Sequence, residues 1–168
     1  KGLNDGLRAA FRAKIVETIG RNRYSQNKRS YVYKRYNNGA YYSDCSSIGM
    51  ETLRLIGLIF KWLYNTAAIY EESEFETVPV RIKDGHIQNP GVLRVCDAVL
   101  YRGNDPKRPK QIGHVEWVYD TIAEDKIEIV TKPHTDLWQR TYYHFRNDNA
   151  PVLQMKTKEA YFSFVVKT

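Results

Sequence analysis

The sequence predicts an α+β domain in which N-terminal helices pack on a mostly antiparallel β-sheet. Three observations carry this. Leu3, Leu7, Phe11, Ile15 and Ile19 recur every four residues, the period of one helix face. A second apolar stretch, Ile48 to Phe60, follows a capping segment, Ser43-Asp44. From Thr77 on, the pattern becomes short alternating runs broken by turn residues. Helices first and strands second define the class.

Element by element, the first helix ends at Gly20, a residue suited to the left-handed turn after a helix. Residues 21–44 are rich in Tyr, Asn, Arg and Ser and read as an irregular loop. The helix after Cys45 is apolar nearly all round, so it is expected to be buried. Residues 61–75 read as a helix remnant followed by a polar loop. Val78, Val80 and Ile82 alternate, Asn89-Pro90-Gly91 forms a turn, and residues 93–101 read as a strand. Strands at His114–Tyr119 and Lys126–Thr131 form an expected hairpin. Tyr142–Phe145 and Tyr161–Val166 are further expected strands.

Composition narrows the classes. A chain of 168 residues with 42% hydrophobic side chains is long enough for one domain, residues 1–168, with a substantial core. No apolar run approaches the roughly 20 residues of a membrane span, and a membrane partner is not expected. Lys1 is not an initiator, which leaves room for a longer parent chain. Two cysteines make no disulfide framework, and the His and Cys spacing fits no metal site, so neither metal nor cofactor is expected. The net charge of +7 is concentrated in residues 1–39, where ten basic residues face only Asp5 and Glu17. Such a lobe attracts a polyanion, either nucleic acid or an anionic cell wall, unless it is simply a solvated surface.

The chemistry centres on Tyr41-Tyr42-Ser43-Asp44-Cys45-Ser46-Ser47. A cysteine in the first turn of a helix meets unpaired N–H groups and the positive end of the dipole, which favour thiolate. A thiolate nucleophile needs a histidine to manage the proton. His114, in Gly113-His114-Val115, opens a strand and is the candidate. The Cys45 backbone N–H at the helix start is a candidate oxyanion donor.

Asp44-Cys45-Ser46-Ser47 resembles the Asp-Cys-Ser-Ser/Gly signature of NlpC-type cell-wall peptidases and related phage amidases, which are papain-like cysteine hydrolases. Gly113-His114-Val115 resembles their Gly-His-Val strand. Residues 95–100 resemble the strand before it, with Cys96 where glycine is usual, and Tyr24-Ser25-Gln26 with Arg29 is similar to a segment upstream of the cysteine. The resemblance spans about residues 10–131. It implies a papain-like fold, hydrolysis of an amide bond in a peptidoglycan stem peptide or crossbridge, and a monomeric phage endolysin or tail-associated lysin acting at the bacterial wall. It also implies a polar residue on the next strand to orient His114. Pairing residues 114–131 as a hairpin puts Thr131 opposite His114, and His134 lies just beyond. Both are candidates, whereas Glu116, two residues along the same strand, is expected to orient poorly.

Tyr24, Tyr42, Asp44 and Trp117 are the candidate substrate contacts, with Asp44 also a helix cap. Tyr31, Tyr33, Tyr36, Tyr41 and Tyr42 either line a sugar-binding groove or pack a loop. Cys96 is expected in the core, and His86 and His144 at the surface or in packing. Two other readings stay open: a catalytically inactive wall-binding protein, and a basic nucleic-acid-binding module, the latter without a recognised motif.

Overall fold

A computed structural model describes residues 5–72, 74–83, 86–123, 126–130, 139–142 and 152–155. Helix α1 spans Asp5–Ile15 and runs into a 3-10 turn at Val16–Thr18. Gly20 follows with φ +73°, the left-handed stop that glycine permits. Strands β1 (Arg23–Tyr24) and β2 (Tyr42–Ser43) form a short parallel pair that brackets the tyrosine-rich loop. Helices α2 (Cys45–Leu55) and α3 (Thr66–Glu71) come next. The strands follow: β3 (Phe75–Thr77), β4 (Ile82–Lys83), β5 (His86–Ile87), β6 (Ala98–Arg102), β7 (Ile112–Ala123), β8 (Lys126–Val130), β9 (Gln139–Tyr142) and β10 (Val152–Met155).

Six of these form one sheet in the order β3-β10-β6-β7-β8-β9, every neighbouring pair antiparallel. Strands β4 and β5 make a separate hairpin. The core lies between the helices and the centre of the sheet. Phe11 and Ile15 of α1, Ile48, Met50 and Leu53 of α2, and Leu100, Val115 and Trp117 of β6 and β7 share one buried cluster. Gly49 shows how close α2 lies to the sheet, since a Cβ there would sit 1.9 Å from the Trp117 ring. A buried charged contact joins α1 to the turn before β6. Arg8 of α1 is buried and donates to Asp97 Oδ1 at 3.0 Å and to the Val95 carbonyl at 2.6 Å.

Several expectations shift. Helix α2 ends at Leu55, not Phe60, because Gly57 turns left-handed at φ +112°, and Ile59 beyond it is half exposed. The strand expected from residue 93 begins only at Ala98. Arg94 N–H and Arg8 both bind Asp97, forming a turn in which Cys96 takes φ +87°. Cys96 is nevertheless buried, and burial pushes its thiol pKa well up, so it is an inert core thiol. Strand β10 gave no sequence signal, and the strand expected at Tyr161–Val166 lies outside the described residues, as does His144.

The hairpin register also differs. Placing Thr131 opposite His114 requires Val130 to face Val115. The described register pairs Trp117 with Val130, after two irregularities nearer the turn. Each irregularity shifts the pairing, which a strict alternation cannot anticipate. Thr131 and His134 themselves lie outside the described residues.

Candidate active site

Cys45 is the first residue of α2, and local physics fixes it there. Asp44 caps the helix: its Oδ1 accepts from Ser47 N–H at 2.8 Å, while Ser47 Oγ accepts from Asp44 N–H at 2.9 Å. This reciprocal box satisfies two end groups and leaves the Cys45 N–H at the positive end of the helix. Arg29 secures the cap from outside. It binds Asp44 Oδ2 at 2.9 Å, Ser46 Oγ at 2.8 Å and the carbonyls of Leu63 and Tyr64 at 2.6 and 3.2 Å. One guanidinium thus ties the loop after α2 back to the start of the same helix. From below, the Trp117 indole N–H donates to the Cys45 carbonyl at 2.9 Å.

His114 approaches from β7. Gly113 before it is a close-packing point, since a Cβ there would lie 3.2 Å from the Gly103 Cα at the end of β6. The imidazole is 23% exposed, and its Nε2 lies 3.6 Å from Oε2 of Glu116, which is 1% exposed. Burial alone would lower the histidine pKa. Hydrogen bonding to the Cys45 side chain and to Glu116, with the negative charge of each, outweighs burial and pushes it up to about 9. Both neighbours therefore favour the protonated form of His114.

Cys45, His114 and Glu116 thus bring a thiol, an imidazole and a buried carboxylate together. Glu116 is the carboxylate beside His114 among the described residues, whereas Thr131 and His134, the expected partners, lie outside them. Residues two apart on a strand share a face, with Cα atoms roughly 6.5 Å apart, and the long Glu side chain spans that gap. The signal was present in His114-Val115-Glu116. What decides in its favour is burial: a carboxylate enclosed beside an imidazole lacks bulk water as a competing partner.

Cys45 and His114 open onto a groove of about 830 Å³ also lined by Tyr24, Gln26, Arg29, Trp62 and Arg108, with Glu116 buried behind them. Tyr24 lines it because β1 holds it beside Ser43, two residues before the cysteine. Of the other expected substrate contacts, Asp44 borders the groove but its oxygens serve the cap, Ser46 and Arg29. Tyr42 and Trp117 do not line it. Tyr42 is buried in β2 with its hydroxyl accepting from Asn38, and Trp117 is fully enclosed beneath α2. Sequence reasoning missed Trp62, 48% exposed on the groove, and Arg108.

The tyrosine cluster is a packed loop. Tyr31 and Tyr36, and Tyr36 and Tyr42, meet edge to face at 4.9 and 5.9 Å. Arg21 and Arg35 stand over Tyr41, Lys28 over Tyr36 and Tyr42, and Lys34 over Tyr31. Much of the basic lobe is thus engaged with the protein's own rings. Among the described residues, no helix is long and apolar enough to cross a membrane.

Comparison with known families corrects the resemblance. The family model that matches the chain is DUF1349, a protein family of unknown function, over residues 116–168. It is distinct from the NlpC-type peptidases, and no family evidence supports membership among them. No curated protein matches the chain. The blocks behind the resemblance are three to six residues long. An aspartate cap, small residues in a first helical turn and an apolar strand opening on Gly-His satisfy local requirements of helix and sheet. They recur without common descent.

Proposed function

We propose that the chain is a cysteine hydrolase that cleaves an amide bond through Cys45, His114 and Glu116. The observation carrying this is one histidine placed between a helix-start cysteine and a buried carboxylate, at the edge of an open groove. Cys45 Sγ attacks the carbonyl carbon, and the oxyanion draws on the Cys45 N–H at the helix end. The C–N bond breaks as His114 gives its proton to the leaving amine. Water then attacks the thioester, His114 takes a proton from it, and the acid leaves as Cys45 is restored. Glu116 holds the ring throughout and supports its charge whenever it is protonated.

For substrate we propose a peptide amide of bacterial peptidoglycan, cleaved at the cell wall. Three features support this reading. The groove offers about 830 Å³, Trp62 and Tyr24 place aromatic rings in its lining, and the excess positive charge of residues 1–39 suits an anionic wall. A nucleophile helix seated on an antiparallel sheet is also compatible with a papain-like architecture, which we propose on that ground alone.

The test is mass spectrometry of purified peptidoglycan of several chemotypes after incubation with wild-type protein and with Cys45→Ala. New amines or released peptides from the wild type alone are expected, and would name the bond. Products from neither protein, with Cys45 slow to alkylate, would remove the catalytic reading and leave an inactive binding protein.

A further inference from the structure

Arg108 stands on the groove wall in the loop between β6 and β7. Its Nε donates to the Ile112 carbonyl at 2.6 Å and its Nη2 to Thr66 Oγ1 at 2.5 Å. Both acceptors are neutral. Asp105, three residues earlier, lines the same groove but is not ion-paired with it, and among the described residues no carboxylate neutralises this guanidinium. The contrast with Arg29 is direct, because that arginine spends its donors on Asp44, Ser46 and two carbonyls.

A guanidinium has five N–H donors in a fixed plane. Ile112 takes the Nε donor and Thr66 one of the two on Nη2. Three N–H donors, both of those on Nη1 and one on Nη2, remain for a planar acceptor such as a carboxylate. Two neutral anchors on different elements, the start of β7 and the start of α3, fix the plane before any ligand arrives, which removes most of the ordering cost. The backbone around it is strained: Lys110 and Gln111 both take positive φ, 50° and 59°, although neither is glycine. Such conformations are unfavourable for residues that carry a Cβ. Gly103 N–H to the Gln111 carbonyl at 2.6 Å and Gln111 N–H to the Arg108 carbonyl at 2.9 Å hold them.

We infer that Arg108 is a carboxylate receptor, so that the ligand of this groove is an acyl compound bearing a free carboxylate close to the bond presented to Cys45. The placing of that carboxylate beside a scissile bond rests on the hydrolase reading, but the recognition itself does not require turnover. In peptide terms the groove selects a residue with a free carboxylate over the same residue carrying a primary amide.

The experiment uses the Cys45→Ala protein, in which binding is separated from cleavage. Affinities are measured by calorimetry for matched stem peptides that differ only in a carboxylate or a carboxamide on the acidic residue. The carboxylate form is expected to bind at least tenfold more tightly. Arg108→Met should erase that preference while leaving the carboxamide affinity within twofold, and Arg108→Lys should restore only part of it. Equal affinity for the two forms, no binding of either, or a preference that survives Arg108→Met would overturn the inference. If the preference is found but wild-type protein cleaves neither peptide, the hydrolase reading fails and the carboxylate site stands.

Discussion

At the scale of single residues, the site depends on what surrounds His114. Cys45 and His114 were legible because each sits in a local context with a chemical meaning, a capped helix start and a strand opening. Glu116 was discounted because sequence spacing gives the face of a strand but not burial. Its role as a positioning residue has a specific signature. The imidazolium must be present to protonate the leaving amine, so activity is expected to decline as pH rises through about 9. Glu116→Gln keeps the shape and removes the charge that supports protonation. The alkaline limb should then move to lower pH by on the order of one pH unit, with kcat falling more than KM rises. A variant whose rate drops with an unmoved limb would make Glu116 a packing residue only.

At the scale of elements, helix α2 shows why some boundaries were readable and others were not. Its start is written in four consecutive residues, Asp44 to Ser47, whose hydrogen bonds are local. Its end was misplaced by about a turn, because the apolar run continues through Ile56, Leu58, Ile59 and Phe60 while the backbone leaves the helix at Gly57. Periodicity reports which side chains prefer burial, and a loop can bury Leu58 as well as a helix can. The cap is the element's most exposed dependency. Asp44→Ala removes the acceptor for Ser47 N–H and leaves Arg29 without its carboxylate. A loss of roughly 2–3 kcal/mol in urea unfolding is expected. Asp44→Asn keeps a capping oxygen and should lose about half of that. If both variants lose equally, the ion pair with Arg29 matters more than the cap.

At the scale of the whole molecule, helices before a sheet were legible from the change of period near residue 77, but the sheet order was not. Strand β10 sits between β3 and β6, so a late segment completes the sheet beside an early one, and local pattern carries no information about such pairing. The same long-range assembly encloses two titrating groups, and together they set how stability follows pH. Burial lifts the Asp97 pKa to about 6 against the pull of Arg8, and contacts with Cys45 and Glu116 lift that of His114 to about 9. In each case the folded chain keeps a proton that the unfolded chain has released, so stability falls as pH rises across the interval between the two pKa values. For Asp97 that interval runs from about 4 to about 6. For His114 the contribution is complete below about 6.5 and is lost as pH climbs through about 9. The histidine contribution is at most about 3 kcal/mol, which corresponds to roughly 5–10 °C in melting temperature for a domain of this size. Thermal unfolding followed from pH 4 to pH 9.5 should therefore show, above pH 6, a decline in the wild type that is flattened in His114→Gln, while Asp97→Asn alters only the part below about pH 6. A wild-type curve that stays level or rises across that range, or a His114→Gln curve parallel to it, would mean that the imidazole is not held as a cation between Cys45 and Glu116.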